Sequence, residues 1–200
     1  MIEALAIIIG YLLGTIPVAY LVTRLWKGYD IRQLGGGNVG FMNVFREVGI
    51  APALVVVIFD LVKGAAAVSI AKWWLDTPDS FILLAGLAAV IGHNWMPWLK
   101  FSGGKGIATS IGALLVLFPA YGYPLQAGIF LVIILIPLVI TRNVALSMGI
   151  GFVSLPFIVW FSSYSAYATS MSVVLFLIIA VKFWPTARAA WQKSHRKNDS

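Results

Sequence analysis

The chain has 200 residues, 60% of them hydrophobic and 10% charged, with a mean hydropathy of +0.94. That leaves too little charge to cover a soluble domain of this length, so the sequence reads as one integral membrane domain over 1–200 with a basic tail at about 185–200. The absence of cysteine excludes disulfides and thiolate chemistry, the distant pair His93 and His195 makes no zinc site, and the net charge of +7 comes without a nucleic-acid-binding motif, so neither a metal nor nucleic acid is expected.

Apolar runs near the ~20 residues needed to span a bilayer occur at about 2–25, 50–74, 80–98, 107–122, 124–141, 143–163 and 166–184. The fold expected is an all-α integral membrane protein with seven transmembrane helices, the fourth and fifth meeting at Tyr121-Gly122-Tyr123-Pro124. Glu3 stands ahead of the first run where a signal peptide would be basic, and no small-residue cleavage site follows, so that run reads as a helix. Basic residues fall on one side: Arg24, Lys27, Arg32 and Arg46, then Lys100 and Lys105, Arg142, and a tail with Lys182, Arg188, Lys193, Arg196 and Lys197. Lys72, near Asp76 and Asp79, falls on the other. By the positive-inside rule the N-terminus is outside, the C-terminus is cytoplasmic, and the polar loops face the cytoplasm. Trp73, Trp74, Trp95, Trp98, Trp160 and Trp184 lie near helix ends, as interfacial anchors do.

The first loop, from Asp30 to Arg46, is rich in glycine, and its Asn38, Asn43 and Arg46 can bond phosphate oxygens. Asp60 and Lys63 are ionisable groups three residues apart inside the second span, where an unpaired charge is costly; they are read as an inward-facing structural pair. At the end of the third span His93 precedes Ser102-Gly103-Gly104-Lys105-Gly106, after which an uncharged helix begins. A lysine at a helix N-terminus is disfavoured by the dipole, and an anion held by close-approaching backbone amides would resolve the conflict. The spacing is not that of a Walker A loop, and taken alone it also suits a membrane re-entry turn whose lysine meets lipid headgroups. Carboxylates near this face are few, namely Asp30, Glu47 and Asp60, so chemistry here would lean on cations and backbone dipoles.

Several motifs in order resemble one family over nearly the whole chain: Gly14-Thr15-Ile16-Pro17, the Asp30 to Arg46 loop, Phe59-Asp60-Leu61-Val62-Lys63-Gly64, Gly92-His93, Phe101 to Thr109, and Thr141 to Ser147. The sequence resembles the bacterial glycerol-3-phosphate acyltransferases of the PlsY type, which use acyl phosphate as donor. The resemblance implies a seven-helix protein of the bacterial inner membrane that makes lysophosphatidic acid and phosphate from acyl phosphate and glycerol 3-phosphate, with no cofactor and with membrane lipids as its surroundings. It leaves the oligomeric state open. Carried over by position, Lys105, Arg46 and His93 are the expected catalytic residues, and Gly37, Asn38, Gly40, Asn43, Gly103, Gly104, Gly106, Thr109 and Ser147 the expected substrate-binding ones.

The chain departs from the family pattern at Gly36, Phe41 and Met42 in the first loop, at Ala145 and Met148 beside Ser147, and in the tail, where Lys182 and Pro185 replace the usual histidine and asparagine. Each lost donor to a phosphate removes about 1.5–3 kcal/mol. Two alternatives follow: a divergent paralogue with another acceptor or no catalysis, and a non-catalytic anionic-lipid binder or transporter. Loops more than ~15 Å apart would exclude one reactive centre, since a bound substrate spans only a few bonds.

Overall fold

The structure, a computed structural model, describes residues 1–163 and 165–198, with side chains described through 186, residue 164 excepted, and at 188. The tail basic residues Lys193, Arg196 and Lys197 and the second histidine, His195, lie outside the described side chains. Nine α-helices follow in order: α1 (Ile2–Gly14), α2 (Val18–Lys27), α3 (Phe41–Glu47), α4 (Ile50–Ser69), α5 (Asp79–Asn94), α6 (Ile107–Ala120), α7 (Pro124–Thr141), α8 (Val144–Ser163) and α9 (Ala166–Asn198), among the described residues.

Among the described residues six segments are long and apolar enough to cross a membrane: Ile2–Lys27, Ile50–Trp74, Asp79–Leu99, Pro124–Thr141, Val144–Ser163 and Ala166–Thr186. The run at 107–122 yields only the 14-residue α6, about 21 Å long against a hydrocarbon core of about 30 Å. The run at 2–25 is not one continuous helix. Pro17 has no N–H to donate and bars the preceding residues from continuing the helix, so α1 stops at Gly14 and α2 restarts at Val18. The Thr15 hydroxyl turns back to donate to the Leu12 carbonyl at 2.7 Å. At its other end α4 widens into a π-turn over Ile70–Trp74.

In lipid, helices associate by close packing rather than by escape from water, so the crossings fall on small residues. At the α4–α6 crossing, a Cβ on Gly64 would collide with the Thr109 carbonyl and one on Gly112 with the Leu61 carbonyl; the two backbones touch. α1 meets α5 the same way, Gly10 against Ala85 and Gly14 against Ala89. These contacts fix the C-terminal end of α5 and the N-terminal end of α6, the two ends that carry the glycine-rich segment. α7, α8 and α9 add a second apolar layer around Phe130, Ile134, Phe152, Leu155, Leu175 and Ile179, with the Phe130 and Phe152 rings edge to face at 5.6 Å. Their outer faces expose Val139, Ile140, Phe157 and Phe161, which suits a lipid solvent.

Candidate active site

α5 ends on His93 and Asn94, and the chain then crosses a 3-10 turn at Pro97–Leu99 and two residues of left-handed backbone, Lys100 and Phe101, before entering the glycine loop. The loop folds back on the helix it has just left: the Gly104 amide donates to the His93 carbonyl at 3.0 Å. A Cβ on Gly104 would strike His93 Nε2 and would also meet the Val39 carbonyl of the first loop at 2.7 Å. Gly104 is therefore the point where both glycine-rich loops and the histidine touch. Gly106 takes left-handed φ of 76° as the N-cap of α6, whose first-turn amides are unsatisfied by helix geometry and face the loop.

The first loop is tied down by its own polar groups. Asp30 caps the turn over Ile31–Gln33 through the Arg32 amide, and its carboxylate takes the Arg32 guanidinium in a two-pronged pair, Nε to Oδ1 at 3.0 Å and Nη2 to Oδ2 at 2.6 Å. Arg32 Nη1 continues to the Leu99 carbonyl at 3.1 Å, joining this loop to the segment ahead of the glycines. The guanidinium holds the Asp30 carboxyl below the usual carboxylate range, so this carboxylate is an anchor already in use.

Asn43 differs from the expectation of a substrate ligand. Its side-chain oxygen accepts from the Gly36 amide at 3.2 Å and its NH2 donates to the Ile31 and Leu34 carbonyls at 3.2 and 3.0 Å, which leaves a buried amide fully engaged in shaping the loop. Gly37 adopts φ of 69°, Gly40 is the extended N-cap of α3, and Asn38 is partly exposed between them. Arg46, at the end of α3, is exposed and without a carboxylate partner among the described residues.

Lys105 is half-buried, with Nζ 4.3 Å from the centre of the Phe183 ring. Burial, and then the neighbouring charge of Arg46, lower its pKa from the ordinary lysine value, so the two expected cations share one electrostatic space. A third cation joins them. Lys182 of α9 donates to the Asn94 carbonyl at 2.6 Å with its ammonium 5.1 Å from the Trp95 ring. The sequence marks Lys182 as a topology signal and as a departure from the family's tail pattern; an ionisable residue inside an apolar run is also a site marker in its own right.

Behind the loop lie buried polar groups. His93 is 4% exposed, and its Nδ1 lies 3.4 Å from Asp60 Oδ1 without the alignment of a hydrogen bond. Asp60 pairs with Lys63 at 2.8 Å, as the spacing predicts, and Lys63 reaches the Ile16 carbonyl at the α1–α2 break at 3.4 Å. Asn94, which the sequence reading passed over, and Thr109 are both 0% exposed; the Asn94 amide and the Thr109 hydroxyl make no hydrogen bond within the described residues, and the amide flanks Gly106. Ser147 does not turn to the loop: its hydroxyl donates to the Asn143 carbonyl of its own helix at 2.9 Å. No group of three or more potential metal ligands occurs among the described residues.

The family model for glycerol-3-phosphate acyltransferase matches residues 4–193. The chain belongs to this family. It is 54% identical over 179 residues to glycerol-3-phosphate acyltransferase 1 of Dehalococcoides mccartyi, covering 90% of this chain and 86% of that one. It is 46% identical over 156 residues to the glycerol-3-phosphate acyltransferase of Desulforamulus reducens, covering 78% and 75%. The crystal structure of PlsY, an integral membrane glycerol 3-phosphate acyltransferase, in its glycerol 3-phosphate form superposes with a TM-score of 0.85 at 27% identity, over 96% of this chain and 92% of that one. This acyltransferase family member is thus an all-helical integral membrane protein, and both its glycine-rich loops fall inside the matched residues.

Proposed function

We propose that the chain transfers a fatty acyl group from acyl phosphate to glycerol 3-phosphate, yielding lysophosphatidic acid and inorganic phosphate for phospholipid synthesis. The observation that carries this reading is the convergence of Lys105, Arg46 and Lys182 on two touching glycine-rich loops, with no carboxylate paired to any of the three among the described residues. Such a place suits two anions held together. Acyl phosphate is an activated mixed anhydride. The acceptor hydroxyl oxygen attacks its carbonyl carbon, the bond from that carbon to the phosphate oxygen breaks, and the hydroxyl proton leaves to a substrate phosphate, which removes the need for a protein base. Lys105, Arg46 and Lys182 neutralise the phosphates, while the amides of Lys105, Gly106 and the first turn of α6 approach the oxygens. Gly37, Asn38, Gly40 and Gly103 shape that surface, and Asn43 acts through the loop it holds.

His93 is a wall of the site, not a base. Its imidazole is buried between Asp60 and Gly104, so its part is to seat the loop. His93→Gln is expected to lower kcat by less than about tenfold and to leave the shape of the pH–rate profile unchanged, whereas loss of a general base costs about 10²–10⁴-fold. A vanished limb in that profile would reverse the assignment.

The distribution of basic residues supports a cytoplasmic site, an outside N-terminus and seven passes in a bacterial inner membrane, with α6 completing the count from within the bundle. The acyl-transfer reading is tested by giving the purified full chain palmitoyl phosphate and sn-glycerol 3-phosphate: equal amounts of phosphate and lysophosphatidic acid should appear. A folded protein that consumes palmitoyl phosphate only with some other acceptor would transfer the acyl group elsewhere, and one that consumes none would end the reading.

A further inference from the structure

A lysine side chain is a compact charge on a flexible four-carbon stem, so the place of its ammonium depends on what holds it. Lys105 pairs with no carboxylate among the described residues. The contact that the structure gives it is aromatic, with Nζ 4.3 Å from the centre of the Phe183 ring. The charge of Arg46, from the first loop, acts on the same ammonium. Like charges that share a pocket repel, and repulsion of this kind drives a free stem towards water.

Phe183 itself is fixed in two ways. It packs, partly buried, against the apolar layer that contains Leu175 and Ile179 of its own helix and Phe152 and Leu155 of α8. The residue before it, Lys182, donates to the Asn94 carbonyl at 2.6 Å, with its ammonium 5.1 Å from the Trp95 ring centre. Asn94 ends α5, and carbonyls at a helix C-terminus attract a cation, so this bond docks α9 on the end of α5. Consecutive helix residues point about 100° apart, so the turn of α9 that sends Lys182 to Asn94 presents Phe183 to the glycine loop. The face of an aromatic ring attracts an ammonium through its quadrupole. An ammonium has three N–H donors, and a ring on one side of it leaves donors for a phosphate oxygen.

We propose that Phe183 is a positioning residue for acyl transfer: its ring holds the Lys105 ammonium at the glycine loop against the repulsion of Arg46, in place for a substrate phosphate. The inference rests on the acyl-transfer reading above and deepens it by assigning a residue that acts through Lys105. A leucine at this position fills apolar volume but has no quadrupole, so it separates packing from electrostatics. The pair is half-buried, between the exposed and the desolvated cases, so loss of the ring should lower kcat/KM about fivefold to tenfold. The ring also favours the ammonium over the neutral amine. Its loss lets the proton leave at lower pH, and the alkaline limb in kcat/KM should move down by about 0.7–1 pH unit.

The full chain is assayed with palmitoyl phosphate and sn-glycerol 3-phosphate across a range of pH. Phe183→Leu should show both changes. Phe183→Tyr, which keeps an aromatic face, should stay within about twofold of the parent and keep its limb. Pentafluorophenylalanine in place of Phe183 keeps nearly the same shape and reverses the quadrupole, so it should reproduce the leucine enzyme, and it stands in should Phe183→Leu fail to fold. A pentafluoro enzyme with the parental kcat/KM and limb, or a tyrosine enzyme that falls as far as the leucine one, overturns the proposal. Absence of turnover in the folded parent counts instead against the acyl-transfer reading, and the hold on Lys105 is then read without catalysis. The lysines are dimethylated with carbon-13 methyl groups, which keeps their charge, and the Lys105 signal is identified as the one missing from Lys105→Arg. The ring current of Phe183 should place this signal upfield of a free lysine in the parent, and Phe183→Leu should return it to the free position. A parent signal already at the free position, or one that Phe183→Leu does not move, overturns the proposal.

Discussion

Lys105→Ala is expected to lower kcat/KM for acyl transfer by about 10²–10³-fold, the range seen when one donor to a developing oxyanion is removed from a preorganised site. The magnitude follows from where the ammonium sits. It is half-buried against Phe183, at the positive end of α6 and within reach of the Arg46 field, so its charge is held at a cost that only an anion relieves. Because burial and Arg46 lower its pKa, the proton leaves at lower pH than from an ordinary lysine. The cation is therefore lost as pH rises, which predicts an alkaline limb in kcat/KM below the usual value of about 10.4. Bound phosphate favours the charged form, so the limb in kcat should lie at higher pH than that in kcat/KM. Lys105→Arg, whose guanidinium does not titrate in this range, should keep part of the rate and lose the limb. A Lys105→Ala enzyme with parental kcat/KM, or a Lys105→Arg enzyme with the limb intact, would remove Lys105 from the phosphate site.

How much of this was legible beforehand varied with the kind of signal. Apolar runs declared most of the helices, since a lipid solvent demands about twenty apolar residues per crossing. The break between α1 and α2 hid inside such a run: Ile16 and Pro17 are both apolar, and only the missing N–H of Pro17 marked it. α6 is only 14 residues long because the left-handed Gly106 starts it and the turn at Tyr121 and Gly122 ends it. In the site, Lys105 and Arg46 could be picked by charge and by glycine neighbours. Asn43 could not be sorted in advance into loop scaffold or ligand, because a side-chain amide serves either and only its three short contacts decide. Asn94 and Lys182 come together across 88 residues of sequence, and no local pattern announces such a contact. The tail departures carry a different weight once Lys182 stands beside the loop, because a cation there can serve a phosphate directly.

Asp60→Ala is expected to destabilise the protein by about 3–5 kcal/mol, because it strands the Lys63 ammonium, whose side chain is 3% exposed, among helices in lipid. Lys63 would keep only the Ile16 carbonyl at 3.4 Å. For a chain of this size that loss corresponds to a fall of roughly 10 °C in melting temperature. The double variant Asp60→Leu with Lys63→Met removes both charges and restores apolar volume, and replacing a whole buried pair in this way is often neutral or stabilising. Its melting temperature should therefore return close to that of the parent. Activity then separates two roles. Asp60 lies behind His93, and His93 behind Gly104, while Lys63 holds the α1–α2 break. If the pair serves stability alone, the double variant recovers the rate together with the melting temperature; if it seats the glycine loop, the variant recovers the melting temperature while kcat stays low. The packing of His93 on Gly104 survives removal of both charges, so the first outcome is expected. An Asp60→Ala protein that melts with the parent would show that Lys63 finds another partner and that the pair does not hold these helices together.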